Sequence, residues 1–196
     1  MNSVLMGFLR LMRPANLPTA AADIFAGAAL AGIVSASFPI LPLLLLVFAS
    51  VFLYAGGVVL NDVFDFNIDK VERPERPIPS GLIPLKSAAV FGSILIVIGV
   101  VLAFFVHQLS GLIALTLAGS IVLYDGYAKK NDFLGPLIMG LCRGLNLILG
   151  MSLLGQLGSW WYAAIPLVYI FAITLVSRGE VHGNNKGHII WAGVLY

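Results

Sequence analysis

The sequence predicts an all-α, polytopic transmembrane helical bundle, and three observations carry that prediction. Of the 196 residues, 60% are hydrophobic and only 10% are charged, whereas soluble domains carry about 25% charged residues. The mean hydropathy is +1.00. The apolar residues fall in runs of about 20, the length that crosses a bilayer as a helix. We therefore expect residues 1–196 to form a single transmembrane helical domain.

Six apolar runs are long enough to span a membrane. Prolines or short polar segments separate them along the chain. A further run, 188–196, is too short to cross a bilayer. Residues 1–13 combine apolar and basic side chains and are predicted to form a helix on the membrane surface. The six predicted spans are 17–36, 40–60, 87–106, 109–124, 134–155 and 160–177.

Basic residues predict how the chain is oriented. Ten of the eleven Lys and Arg residues lie before the first span or in every second connection, and the three intervening loops contain none. By the positive-inside rule these segments face the cytoplasm. We expect an integral protein of a bacterial-type inner membrane, or its equivalent, with its active loops cytoplasmic. A net charge of +2 argues against a nucleic-acid partner, and the single cysteine, Cys142, excludes an intrachain disulfide.

Three carboxylates lie at the end of the second predicted span. Asp62, Asp65 and Asp69 fall within about 60° of one another at 100° per residue, so their spacing predicts a carboxylate stripe on one helix face. Carboxylates this close repel one another, and a divalent cation relieves that repulsion. Hard oxygen ligands suit Mg²⁺, which commonly bridges one or two carboxylates to substrate phosphates. Asn61 adds a neutral oxygen, and the stripe predicts Mg²⁺ as a cofactor.

The loop after the stripe, 73–81, contains two arginines among prolines. The prolines restrict its backbone, and Arg73 and Arg76 are suited to bind phosphate oxygens. The alternative is a solvated helix end whose acids only pair with these arginines and with Lys70. The combination of metal ligands, basic side chains and a membrane boundary favours a site for an anionic substrate.

The pattern Asn-Asp-x-x-Asp-x-x-x-Asp at 61–69, followed by Arg-Pro-Ile-Pro-Ser-Gly at 76–81, resembles the first signature of the UbiA superfamily of intramembrane prenyltransferases. Arg13 and Pro14, before the first predicted span, also match the common start of that family. The resemblance implies an all-helical membrane enzyme of nine spans. Such an enzyme uses Mg²⁺ to transfer an isoprenoid chain from a prenyl diphosphate to an acceptor within the membrane.

This resemblance also implies roles for individual residues. The stripe, with Asn61, would hold Mg²⁺ on the diphosphate, and Arg73 and Arg76 would contact its oxygens. The loop 124–130 resembles the family's Tyr-x-x-x-x-Lys-Arg segment, so Lys129 or Lys130 would contact diphosphate while Tyr124 or Asp125 orients the reaction. The alternative for each lysine is an ordinary role in setting topology. The residues expected to be catalytic are Asp62, Asp65, Asp69, Tyr124 and Lys129.

Departure of diphosphate leaves an allylic carbocation, which needs a dry pocket with electron-rich faces. Aromatic side chains near the stripe are candidates for that lining, and plain helix packing is the alternative for each. They are Phe52, Tyr54, Phe64, Tyr124 and Tyr127.

Two charges lie inside predicted spans, where an ionisable group costs at least about 2.5–3.5 kcal/mol at mid-bilayer. Arg143 of the fifth span has Asn146 on the same helix face, three residues further on. One interpretation is that both side chains bind a polar acceptor or an anionic headgroup. The other is that Arg143 pairs with Asp23 of the first span and holds the bundle together. The sequence leaves both open.

The family's second acidic signature is reduced in this chain. The resemblance implies an Asp-x-x-x-Asp motif for a second Mg²⁺ after the sixth span, where this sequence has Glu180 and Asn184. These two residues are the expected substitutes as metal ligands, and Arg178 is an expected substrate contact. Three interpretations follow: a single tight metal, a metal completed by the diphosphate, or a protein that binds or translocates a prenyl lipid without turning it over.

Six spans correspond to about two thirds of a nine-span bundle. We therefore expect the C-terminal helices of the family fold to lie beyond these residues. If they do not, we expect the protein to self-associate. The predicted function is Mg²⁺-dependent transfer of a prenyl group. Membrane lipids are expected to surround the protein. The sequence specifies neither the acceptor nor the length of the donor chain.

Overall fold

The computed structural model describes residues 3–32 and 39–181, and over these ranges its regular secondary structure is entirely helical. Short 3₁₀ turns precede or follow several of the α-helices. The helices are α1 (Ser3–Leu11), α2 (Leu17–Leu30), α3 (Ile40–Phe64), α4 (Phe66–Glu72), α5 (Leu85–Val106), α6 (Gln108–Gly126), α7 (Leu134–Met151) and α8 (Ala164–Val181).

Five of the predicted spans are helices long and apolar enough to cross a membrane. They are α3, α5, α6, α7 with its following turn, and α8 with its preceding turn. The first predicted span, 17–36, corresponds to α2, which has 14 residues and is therefore about 21 Å long. A hydrocarbon core is about 30 Å thick, so α2 as described is too short to span it; residues 33–38 lie outside the described ranges.

Helices α3 and α7 form the centre of the bundle. Helix α3 packs against α2, α5, α6 and α7, while α7 packs against α2, α6 and α8. The main core joins α2, α3, α6 and α7 through Ile24, Leu46, Leu117 and Leu149, each at most 4% exposed. One side of each of these four helices therefore lines a common interior. The functional side chains lie in that interior.

A second apolar cluster attaches the N-terminal helix to the bundle. Helix α1 is amphipathic, and its location on the membrane surface stays a prediction. Its Leu11 is 1% exposed and packs in one cluster with Ile78 and Ile83 of the loop after α4. The Phe8 ring meets Phe91 of α5 edge to face, with centroids 5.0 Å apart. The loop that carries the arginines is therefore held between α1 and the bundle.

Helices α2 and α7 cross at a pair of glycines. A Cβ atom at Gly27 would press against the Leu147 carbonyl and lie 2.7 Å from the Met151 nitrogen. A Cβ atom at Gly150 would lie 2.6 Å from the Ile24 carbonyl oxygen. Only glycine permits this backbone approach, as is common between helices in membranes. The close crossing places Asp23 of α2 beside the polar residues of α7.

Gly27→Ala is expected to lower the thermal unfolding temperature of the protein in detergent. The added methyl group meets backbone rather than a movable side chain, and overpacking of this kind costs about 1–3 kcal/mol. The matched control is Gly119→Ala in α6, where a Cβ meets no atom within 4 Å. An equal unfolding temperature for Gly27→Ala and Gly119→Ala would show that the crossing is not as tight as described.

Candidate active site

The predicted carboxylate stripe begins in α3 and continues across a distortion at Asp65. Asp65 adopts φ −86° and ψ 4° between α3 and α4. The backbone hydrogen bonds nevertheless continue, since the Asp65 N–H donates to the Asn61 carbonyl at 2.9 Å and the Asp69 N–H donates to the Asp65 carbonyl at 2.8 Å. The three carboxylates therefore stay at one helix end, but they do not all face the same partners.

Asp62 and Asp69 face the arginine-bearing loop. They are 5% and 2% exposed, so they are buried rather than solvated. Arg76 donates from Nη1 to Asp62 Oδ1 at 3.1 Å and to Asp69 Oδ2 at 2.7 Å. Arg76 thus bridges two of the three carboxylates, in the place where the sequence predicted a phosphate-binding guanidinium.

Arg13 is a site residue that sequence reasoning assigned only to topology and to the family's common start. Its Nη2 donates to Asp62 Oδ1 at 2.6 Å. Its backbone has φ 48°, and no other non-glycine residue in 3–32 or 39–181 has positive φ. A positive φ is costly for a residue with a Cβ, and Pro14 restricts the preceding residue further. The sequence feature that could have indicated this role is the position of Arg13 directly before Pro14 at the predicted membrane boundary.

Asp65 faces the connection between α6 and α7. Lys129 Nζ lies 2.7 Å from Asp65 Oδ1 and 3.9 Å from Asp125 Oδ1. Asp125 is 2% exposed and accepts a hydrogen bond from Asn61 Nδ2 at 2.7 Å. The Lys129 ammonium is shielded from solvent without a well-aligned hydrogen bond to a described residue. The predicted Lys129 and Asn61 therefore meet at the same end of the bundle, with Asp125 between them.

Arg178 fixes the loop that carries Lys129. It donates from Nη2 to the Lys129 carbonyl at 2.7 Å and from Nη1 to the Asn131 carbonyl at 3.0 Å. Its Nη1 also lies 3.8 Å from Asp132. In this structure Arg178 acts on the backbone of the loop, so it positions Lys129; its role as a substrate contact stays a prediction.

The remaining predicted residues are less enclosed or lie outside the described part. Arg73 and Lys130 are exposed and form no ion pair with a described residue. The side chain of Glu180 and all of Asn184 fall outside the described residues. Four charged segments nevertheless meet at one end of the bundle: those before α2, after α4, after α6 and at the end of α8. The charge pattern predicted that these segments share one side.

A cavity of about 490 Å³ opens beneath these charged residues, within the range of small-molecule sites. Arg13, Asn61 and Asp125 lie at its polar end. Of the five aromatic candidates, Tyr54 and Tyr124 line the cavity, whereas Phe64 and Tyr127 are exposed and Phe52 packs with the cluster under α1. The apolar lining is contributed by Leu53, Gly57, Val58, Leu117, Ile121, Met139 and Ile170.

A second polar layer lies deeper, where α2, α3 and α7 meet. Arg143 Nε is 3.0 Å from Asp23 Oδ2, which is the internal pair that the sequence left open. Asn146 donates from Nδ2 to the same carboxylate oxygen at 2.9 Å and to the Ala20 carbonyl at 3.1 Å. Ser50 donates to Asn146 Oδ1 at 2.6 Å. Arg143 and Asn146 also line the cavity, so the pair does not exclude a contact with substrate.

The donor chemistry at the charged end fits a magnesium ion. Four carboxylates and the Asn61 amide oxygen are hard ligands of the kind that Mg²⁺ prefers, and the carboxylates outnumber the three cations that contact them. Among the described residues, no group of three or more His, Cys, Asp or Glu side chains is arranged as a ready metal site. In this structure Arg13, Arg76 and Lys129 lie among the carboxylates.

Comparisons with known proteins show the family to which the chain belongs. The sequence profile of the UbiA prenyltransferase family matches residues 20–178. The chain is 41% identical over 157 residues to digeranylgeranylglyceryl phosphate synthase of Methanococcoides burtonii, a match that covers 77% of this chain and 56% of the relative. The protein of the same name from Sulfurisphaera tokodaii is 33% identical over 172 residues, covering 86% and 60%. The chain thus spans less than two thirds of the length of these relatives.

Solved structures show the same fold. A structure of digeranylgeranylglyceryl phosphate synthase superposes with a TM-score of 0.78 at 27% identity, over 99% of this chain and 74% of the other. A UbiA homolog from Archaeoglobus fulgidus, solved with GPP and Mg²⁺, superposes with a TM-score of 0.73 at 16% identity, over 85% of this chain and 60% of the other. With the profile match over most of its length, this chain is an integral membrane protein that belongs to the UbiA prenyltransferase family.

Proposed function

We propose that the protein transfers a prenyl group from a prenyl diphosphate to an acceptor inside the membrane, with Mg²⁺ as cofactor. The observation that carries this proposal is the meeting of four carboxylates and three basic side chains at the polar end of a largely apolar cavity. Diphosphate is a compact anion and a prenyl chain is apolar. A cavity with one charged end and an apolar body is complementary to both parts of such a donor.

The diphosphate would bind at the charged end. Asn61, Asp62, Asp65 and Asp69 are the residues that would hold Mg²⁺, and the bound metal would stabilise the negative charge that develops on departing diphosphate. Arg13, Arg76 and Lys129 now compensate the carboxylates. In the presence of metal and diphosphate, these cations are placed to bind phosphate oxygens instead.

The apolar part of the cavity would hold the prenyl chain and keep water from the reacting carbon. Cleavage of the allylic carbon–oxygen bond gives a carbocation, which water would quench. Tyr54 and Tyr124 line the cavity and can face that cation with their rings. A new bond from the acceptor to the allylic carbon would complete the transfer, with diphosphate as the leaving group and as the base that takes the proton the acceptor loses.

The names of the relatives indicate an acceptor class. Digeranylgeranylglyceryl phosphate synthase, the name of the Methanococcoides burtonii and Sulfurisphaera tokodaii relatives, denotes a product with two geranylgeranyl groups on glyceryl phosphate. We infer by this relationship that the acceptor here is a glyceryl phosphate that already carries one prenyl chain. We infer from the distribution of basic residues that the charged end faces the cytoplasm. Self-association stays a prediction.

A second candidate function is binding or translocation of a prenyl lipid without turnover. The observation that favours it is the pairing of every stripe carboxylate with a protein cation and the absence of a ready metal group among the described residues. Binding without transfer would give no inorganic diphosphate.

Replacing Asp62 or Asp65 with alanine is expected to reduce prenyl transfer by at least about 100-fold, since each change removes a proposed ligand that stabilises the departing charge. The measurement is transfer from a radiolabelled prenyl diphosphate by purified protein in lipid vesicles. Asp132→Ala is the control, because this carboxylate is 84% exposed and outside the cavity lining. Undiminished transfer in folded Asp62→Ala and Asp65→Ala would contradict the proposal.

Removal of divalent metal is expected to stop release of inorganic diphosphate, and added Mg²⁺ is expected to restore it, because the carboxylates need a divalent partner to accept an anionic donor. A phosphate-coupled assay of diphosphate, with and without a chelator, measures this directly. Saturable Mg²⁺-dependent binding of geranylgeranyl diphosphate with no diphosphate release under any acceptor would instead support the binding protein.

A further inference from the structure

We propose that Arg143 anchors the anionic headgroup of the acceptor, a phosphate or a carboxylate, within the cavity. This inference rests on the proposed prenyl transfer and specifies where the second substrate binds. The deeper polar layer of Asp23, Arg143 and Asn146 takes no part in the proposed binding of the donor diphosphate. In that layer a guanidinium lies inside a membrane protein and borders the cavity.

Arg143 is held by only one edge of its guanidinium. Its Nε lies 3.0 Å from Asp23 Oδ2, and its two terminal amino groups make no hydrogen bond to residues 3–32 or 39–181. The side chain is 28% exposed and lines the cavity. The terminal edge of a guanidinium is a planar fork of donors that matches phosphate and carboxylate oxygens. Arg143 therefore has unused donors in a place that a ligand can reach.

Asp23 is the positioning residue for this guanidinium. The carboxylate accepts a hydrogen bond from Asn146 at 2.9 Å, and Asn146 is itself fixed by Ser50 at 2.6 Å. The glycine crossing of α2 and α7 keeps these side chains in register. A guanidinium fixed through Nε loses little further freedom when its other edge binds an anion, and such preorganisation favours affinity.

The deeper layer is separate from the charged end. Ser50, which contacts Asn146, precedes Asp62 by 12 positions in α3, which corresponds to about 18 Å along the helix axis. Arg143 precedes Asn146 by three positions in α7, so it lies about 4.5 Å nearer to the charged end. The lining between them is mostly apolar. A diphosphate bound by the carboxylate stripe therefore does not also occupy Arg143. The charged end would bind the anionic group of the donor, and the deeper polar layer would bind that of the acceptor.

The test measures ligand binding to the full chain in lipid nanodiscs by calorimetry. The probes are hexyl phosphate, hexanoate and hexanol, which share one tail and differ in headgroup. Geranyl S-thiolodiphosphate with Mg²⁺ is present at saturation, so that the donor end is occupied. We expect hexyl phosphate or hexanoate to bind and hexanol to bind more weakly, and the stronger of the two anions identifies the headgroup class. Equal affinity for hexanol would overturn the proposal.

The double variant Asp23→Asn with Arg143→Gln removes both charges together, so that neither is left buried without its partner. We expect it to bind the anionic probe about 10- to 100-fold more weakly while retaining wild-type affinity for geranyl S-thiolodiphosphate. Arg10→Gln is the control, because it removes an exposed guanidinium outside the cavity. Unchanged affinity for the probe in the double variant would overturn the proposal.

The charge swap Asp23→Arg with Arg143→Asp covers the case in which the double variant does not fold. It keeps an ion pair between α2 and α7 but moves the guanidinium to the other helix, so probe affinity is expected to fall with the fold retained. Retained affinity in the swap would show that the pair is only structural. Failure of wild-type protein to bind geranyl S-thiolodiphosphate would instead contradict the proposed function itself.

Discussion

The structure depends on the compensation of four buried or half-buried carboxylates at one end of an apolar bundle. An uncompensated charge is costly where water is scarce, and three cations from separate segments meet that need: Arg13 before α2, Arg76 after α4 and Lys129 after α6. Their contacts therefore also hold three loops against the end of α3. On the proposed function, a metal diphosphate replaces one set of charge pairs with another, which keeps the cost of desolvation low.

On the proposed function, the two polar layers would divide the tasks of a two-substrate reaction. The charged end offers both carboxylates and cations, which suits a diphosphate carried by a metal, whereas the deeper layer offers one guanidinium fixed by Asp23. The lining between them is mainly apolar. If both substrates bind as proposed, such a cavity would keep their anionic groups apart while their reactive parts meet in its apolar interior. The same glycine crossing that lets α2 approach α7 places Asp23 at Arg143, so on the proposed role of Arg143 the packing of these two helices would also position the acceptor.

Much of the fold followed from the sequence, because apolar runs and the placement of basic residues are direct consequences of the bilayer. The first predicted span, 17–36, corresponds to α2 over Leu17–Leu30, and 33–38 lie outside the described residues. The carboxylate spacing located the site, but not the partners of each acid. Arg13 reaches Asp62 across 49 positions with a left-handed backbone. Its position before Pro14 marks the residue but does not identify Asp62 as its partner. The pair of Arg143 with Asp23 was one of two open interpretations, and only the packing of α2 on α7 decided that it forms.

On the proposed function, the stripe carboxylates would exchange their protein cations for a metal bound to diphosphate. Electron paramagnetic resonance with Mn²⁺ in place of Mg²⁺ detects this exchange, because phosphorus nuclei couple to a manganese ion that binds phosphate oxygens. We expect wild-type protein with geranyl S-thiolodiphosphate to show protein-bound Mn²⁺ with phosphorus coupling, and the conservative double variant Asp62→Asn with Asp65→Asn to lose the bound ion. Mn²⁺ bound without phosphorus coupling, or bound equally by that variant, would contradict the proposed exchange.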